Sequence, residues 1–124
     1  MGITSQGIEG EKELFGFLKS RGHKFFQPDS IALVNNQYYV IEMKKQEWFK
    51  APPFDGHGLP RWQVTARLEF EERTKVIALL MIHDIETSEL FCQLLSVLEK
   101  GEKYDTRGLK PRRIYPISSF KQLK

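Results

Sequence analysis

The sequence predicts a single mixed α/β domain in which a helix is followed by three strands, a second helix and a further strand. Three observations predict it. Residues 28–44 read as a β-hairpin, with β-prone runs Ile31–Val34 and Tyr38–Ile41 on either side of Asn35-Asn36. The run from Lys75 to His83 is nearly unbroken apolar sequence, the pattern of a strand buried on both faces. Apolar residues recur at helical spacing over Ile8–Ser20 and Arg61–Thr74. At 124 residues the chain, read as one domain over residues 1–124, is long enough for a core of its own.

Taken in order, Met1–Gln6 reads as a loose leader. The first helix, Ile8–Ser20, is stopped by Gly22. With Glu11 at zero on a wheel of about 100° per residue, Ile8, Leu14, Phe15 and Leu18 fall within roughly 60° of it. Glu9 and Glu13 fall on the far side. One glutamate therefore sits inside the apolar stripe. It either reaches out to solvent or a lysine, or serves a site. His23–Gln27 is the expected first strand, and the hairpin supplies the second and third. Lys45–Leu59 is expected to be a loop rich in aromatics, Pro and Gly. His57 near Asp55 is a weak metal signal there, and substrate contact or plain loop structure is the stronger reading.

Pro60 suits the first turn of the second helix, whose apolar face is expected at Trp62, Ala66 and Phe70. A strand, a helix and a second strand imply a right-handed crossover to a parallel neighbour. His83 is expected to close the last strand as a structural histidine. Thr87–Lys100 reads as a third helix with Leu90, Phe91, Leu94, Leu95 and Leu98 in the core and Gly101 as its stop. Arg107, Lys110, Arg112 and Arg113 follow, suiting either a patch that tracks a phosphate backbone or a solvated basic loop. Ile114–Ile117 and a closing amphipathic piece complete the chain.

The chemistry concentrates at the open end of the hairpin. An Asn-Asn turn accepts positive φ, and a two-residue turn there pairs Val34 with Gln37, Leu33 with Tyr38, Ala32 with Tyr39 and Asp29 with Glu42. Facing residues share a side of the sheet. Lys44, two residues beyond Glu42, shares it too. Two repelling carboxylates and an ammonium result, and a divalent cation would relieve the repulsion. A solvated strand end with a chance salt bridge is the plainer alternative.

This segment resembles the PD-(D/E)xK nuclease signature, with Pro28-Asp29 as its first half and Glu42-Met43-Lys44 as its second. The stretch Glu11-Lys12-Glu13-Leu14, ending at Gly22, resembles the opening helix of Holliday-junction resolvases of that superfamily. Gln63 matches a glutamine that several of these families carry at the start of the helix after the third strand. Arg67 stands where some of them have a tyrosine four residues on, which argues against the RecB-like branch and favours resolvase-like or VRR-type nucleases. The resemblance spans Gly7 to about Asp84 and implies a restriction-endonuclease-like αβββαβ core, with a mixed sheet flanked by helices.

That resemblance also implies a chemistry. Asp29, Glu42 and the Met43 backbone carbonyl would hold Mg²⁺ or Mn²⁺, with Glu11 on a metal-bound water or a second ion. Lys44 would orient or deprotonate the attacking water, and Gln63 would position Lys44 or a phosphate. Arg61, Arg67, Lys110, Arg112 and Arg113 would contact nucleic acid. The expected protein is a homodimeric endonuclease acting on branched DNA and leaving 5′-phosphate and 3′-hydroxyl ends. The alternatives are a catalytically inactive nucleic-acid-binding module of the same fold and a restriction-type or RNA-acting nuclease.

Composition agrees with these classes and excludes others. The apolar fraction of 40% with 12% aromatics suits a folded chain rather than a disordered one. No apolar run approaches the roughly 18 residues of a membrane span, and no signal pattern opens the chain, so neither a membrane nor an exported location is expected. A lone cysteine, Cys92, cannot form an internal disulfide, which fits a reducing cytoplasm, and its apolar surroundings give it a packing role. The net charge of +3 permits nucleic-acid binding.

Overall fold

Asn35 and Asn36 both take positive φ, 51° and 62°, and this turn sets the register of the hairpin. Strand β1 (Asp29–Val34) runs antiparallel to β2 (Gln37–Gln46) with Val34 opposite Gln37, Ala32 opposite Tyr39 and Asp29 opposite Glu42, as the sequence requires. The computed structural model describes residues 13–19, 29–51 and 53–123, with Asp29 and Ala51 described by their backbone alone. The expected strand His23–Gln27 and residue Glu11 lie outside the described residues.

Residues 13–19 form a helical segment, α1, with Leu14 and Leu18 fully buried and Glu13 exposed. Helix α2 (Arg61–Thr74) follows Pro60, which stands at its N-terminal boundary without a side-chain capping bond, and ends at Lys75 in the left-handed region. Strand β5 (Ile77–Asp84) then lies parallel to β2, with Glu42 beside Leu80 and Lys44 beside Ile82. The predicted crossover is therefore present. Strand β5 runs one residue further than expected, ending at Asp84 rather than His83.

Strand β2 organises the interior because it is buried on both sides. Tyr39, Ile41 and Met43 join Leu14, Leu18, Leu79 and Met81 in one core. Val40, on the opposite face, joins Leu59, Val64, Leu80, Leu95 and Tyr115 in a second. By strand alternation Glu42 and Lys44 belong to the Val40 face, the one that α2 covers.

Three expectations are corrected. Lys45–Leu59 is not a loop: after the end of β2, β3 (Phe49–Ala51) and β4 (Phe54–Pro60) form an antiparallel pair. These join β7 (Tyr104–Asp105) and β8 (Arg112–Pro116) in a four-stranded sheet of order β3-β4-β8-β7. The glycines that suggested a loop allow β4 to approach β8. A Cβ on Gly58 would lie 1.7 Å from the Arg113 carbonyl oxygen, and one on Gly56 2.0 Å from that of Tyr115. Second, Thr87–Lys100 is not one helix. Leu90–Leu94 is strand β6, antiparallel to β5, and only Leu95–Lys100 is helical (α3). The edge of β5 offers Leu90–Leu94 a full ladder and burial on both faces, which outweighs the helical spacing of its leucines. The turn before β6 is held by Asp84 Oδ1, which accepts from the Glu86 and Thr87 amides at 2.9 and 3.1 Å. Third, α2 buries Val64, with Leu68 and Phe70 partly covered, while Trp62 and Ala66 are exposed.

The larger sheet has five strands in the order β1-β2-β5-β6-β9, closed by β9 (Lys121–Gln122) after a 3₁₀ turn at Ile117–Ser119. It is a mixed sheet with α1 on one face and α2, α3 and the smaller sheet on the other. Among the described residues no helix is long and apolar enough to cross a membrane.

Candidate active site

Glu42 is 4% exposed, although it is a carboxylate on a sheet face. A charge placed there without partners would cost several kcal/mol. Two cations answer it. Lys44 Nζ, two residues along the same strand, lies 3.8 Å from Glu42 Oε1. Arg67, reaching down from α2, places Nη2 3.3 Å from Oε2. Lys44 arrives by a local rule, strand alternation, and Arg67 by the packing of α2 over the hairpin. Gln63 precedes Arg67 by four residues and so lies on the same stripe one turn toward the N-terminus. Its Oε1 is buried with no hydrogen-bond partner among the described residues, an acceptor waiting for a donor. Asp29 stands opposite Glu42 in the ladder.

Three of the expected residues thus meet, Glu42, Lys44 and Arg67, with Asp29 placed opposite Glu42 by register and Gln63 one turn of α2 from Arg67. Arg67, expected as a nucleic-acid contact, is here a partner of Glu42. No spacing along the chain announces that pairing, which depends on how α2 packs over β2. The remaining expected contacts lie elsewhere. Arg61, Lys110 and Arg112 border a groove on the other side of α2. Arg113 is engaged internally, with Nε 2.8 Å from Asp105 Oδ1 and Nη1 2.8 Å from Glu99 Oε1. The Asp105 bond in particular holds its guanidinium pKa above the ordinary value. Glu11 lies outside the described residues, and the described part of α1 packs on the sheet face opposite that of Glu42.

A second polar cluster, with no counterpart in the sequence pattern, lies between the two sheets. His57 is fully buried, with Nε2 2.9 Å from Asp84 Oδ2 and Nδ1 3.0 Å from Gln46 Oε1. It does not serve a loop or meet Asp55. It joins the small sheet to the large one, β4 to β5 and to the end of β2. Burial pulls the His57 pKa below 6.5, against the opposing pull of Asp84. Burial alone would push the Asp84 carboxyl up, but the Thr87 amide, the His57 ring and the Glu86 amide hold it below its ordinary value. His57 and Asp84 are far apart in sequence and sit on strands of different sheets, so no local pattern announces the pair.

A hard divalent cation takes oxygen ligands, carboxylates first. Glu42 with Asp29 opposite is a donor set of that chemistry. Among the described residues no three His, Cys, Asp or Glu side chains come together as a metal site, and the side chains of Glu11 and Asp29 lie outside that set. Of these donors only the Glu42 side chain is described; it is a carboxylate, the ligand type such an ion takes, and its two oxygens face Lys44 and Arg67.

No protein-family model matches the sequence, and no curated protein matches it. Two solved structures are similar over most of the chain. One is a Holliday junction resolvase from the archaeal hyperthermophile Archaeoglobus fulgidus, with 12% identity and a TM-score of 0.45, covering 90% of this chain and 87% of that one. The other is a nuclease from a fusselovirus, with 11% identity and a TM-score of 0.45, covering 99% of this chain and 89% of that one.

Proposed function

We propose that this protein is a metal-dependent nuclease that hydrolyses phosphodiester bonds of DNA, with branched DNA as its substrate and a homodimer as its working form. The observation that carries the reading is the hairpin register, which sets Asp29 against Glu42 at the open end of the hairpin with Lys44 two residues further along β2. The substrate form and the dimer come from the resemblance of Pro28-Asp29, Glu42-Met43-Lys44 and the opening helix to small stand-alone resolvases.

Glu42, Asp29 and the Met43 carbonyl would hold Mg²⁺ or Mn²⁺, and Glu11 is the further carboxylate the resemblance assigns. Such an ion supplies Lewis acidity toward the phosphate and lowers the pKa of water. Lys44, as an ammonium, would orient the attacking water and offset charge that develops on the phosphate, and only as the neutral amine would it take the water's proton. The Gln63 amide would position Lys44 or a phosphate oxygen, and the Arg67 guanidinium would hold Glu42 or contact the nucleic acid.

One observation favours a second reading. Arg67 and Lys44 together already balance the Glu42 charge, an arrangement that also suits a module that binds nucleic acid and does not cut it. One experiment separates the two. The purified protein is incubated with labelled four-way junction, flap, duplex and single-stranded DNA in Mg²⁺, Mn²⁺ or EDTA, beside Glu42→Ala. Cleavage that requires metal and disappears in the variant is expected, with paired nicks on the junction. Binding without cutting in every metal would overturn the nuclease reading, and cutting that survives Glu42→Ala would overturn the site.

A further inference from the structure

Trp62 is 69% exposed on the first turn of α2, and Leu109, at the tip of the loop between β7 and β8, is fully exposed. Both border an open groove of about 920 Å³ between α2 and that loop. The groove has set walls. The Thr106 amide donates to the Arg112 carbonyl at 2.9 Å, the Arg112 amide to Thr106 Oγ1 at 2.8 Å, and the Arg61 amide to the Pro111 carbonyl at 3.0 Å. The last bond ties the start of α2 directly to the loop. Gly108, at φ 114°, turns the tip.

The lining is apolar with a cationic rim. Pro60, Trp62, Leu109 and Pro111 line it, the charged residues are Arg61, Lys110 and Arg112, the last of which donates to the Gly58 carbonyl at 3.1 Å, and among the described residues no carboxylate lines the groove. Asp105, 3.6 Å from Arg61, is also held by Arg113. A flat apolar slot edged by cations alone complements a ligand that carries a planar ring between anions. A nucleotide whose base is unpaired has that form, whereas a duplex keeps its bases stacked inside. The groove lies across α2 from the cluster around Glu42: Trp62 and Arg67 are about 7.5 Å apart along the helix axis and about 140° apart around it.

We propose that this groove is a subsite for an unpaired nucleotide of the DNA strand, with Trp62 stacked on the base, Leu109 and Pro111 as the facing wall, and Arg61 and Lys110 on the flanking phosphates. Its role as a substrate subsite rests on the nuclease reading, and its binding does not. The substrate class it selects is DNA with a single-stranded segment beside the cut.

The test is binding of the full chain in EDTA, where no metal-dependent cutting occurs. The probes are a labelled oligo(dT), an abasic strand of equal length and charge, and a duplex. Stacking of one base on an aromatic ring is worth about a 5- to 150-fold change in affinity. Oligo(dT) should therefore bind at least about 5-fold tighter than the abasic strand. Trp62→Ala should erase that difference and Trp62→Phe should retain most of it, with circular dichroism unchanged in both because the side chain is exposed. In a Trp48→Phe background the emission of Trp62 should be quenched by oligo(dT) and not by the abasic strand. Equal affinity for the two strands, unaltered binding by Trp62→Ala, or quenching by an acidic peptide or an anionic vesicle in place of DNA would each overturn the proposal. A protein that cuts but shows no Trp62 effect loses only the subsite. A protein that never cuts but shows it keeps the subsite and loses the nuclease.

Discussion

His57→Phe removes the polar join between the two sheets while keeping a ring in the space beside Phe91 and Phe120, whose centroids lie 6.0 and 6.4 Å from that of His57. The loss falls on Asp84. Its Oδ2 gives up the 2.9 Å contact, while Oδ1 keeps the amides of Glu86 and Thr87. Removing one partner of a buried pair costs about 3–5 kcal/mol, and a hydrogen bond to a charged group contributes about 1.5–3 kcal/mol. Because half of the Asp84 carboxylate stays satisfied, the overlap of the two ranges applies, about 3 kcal/mol. For a domain of this size that corresponds to a fall in Tm of about 12 °C. Urea and thermal unfolding followed by circular dichroism read it directly. The pH dependence adds a sign. The His57 pKa is lowered in the fold, so as pH falls through 6.5 the unfolded chain takes up the proton first and wild-type stability declines. That decline, at most about 1.4 kcal/mol per pH unit, should be missing from the variant. The Asp84 pKa is also lowered, so its contribution is present above 3.8 and is lost as pH falls below that. In His57→Phe that acid loss should be smaller, because with one group that stabilises the carboxylate gone the Asp84 pKa moves back toward 3.8. A variant that loses less than about 1 kcal/mol and keeps the wild-type slope near pH 6.5 would refute the reasoning.

Three further outcomes are expected. Gly58→Ala should push β4 off β8, since its Cβ would meet the Arg113 carbonyl, and should cost at least about 1–3 kcal/mol of unfolding free energy; an unchanged urea midpoint would contradict the β4–β8 register. Lys44→Met should lower metal-dependent cleavage at least about 100-fold with melting temperature little changed, as removal of a charged group from a reacting phosphate does, and single-turnover rates on labelled DNA measure it. Burial pushes the Cys92 thiol up to about 12, so an aromatic disulfide reagent at pH 8 should leave it untouched in the native protein and react fully in urea.

The chain declares its local structure openly. Asn35-Asn36 between two β-prone runs dictates a turn and, through it, the pairing of Asp29 with Glu42, because a two-residue hairpin leaves no freedom of register. The limits of α2 and the two-sided burial of β5 are equally local, read from Pro60, the period of the pattern and an unbroken apolar run. The outer parts of the fold are not local. Leu90–Leu94 carries leucines at helical spacing and becomes a strand because the free edge of β5 lies beside it. Gly56 and Gly58 look like loop punctuation until β8 comes close enough to exclude a Cβ. Trp62 reads as a core residue on a helical wheel and points into a groove, because the small sheet turns α2 to bury Val64 instead. Of the site, the hairpin residues were legible in the sequence. Arg67 on Glu42 and His57 on Asp84 were decided only by tertiary contact, since which residues meet across separate elements depends on how those elements pack and not on any spacing along the chain.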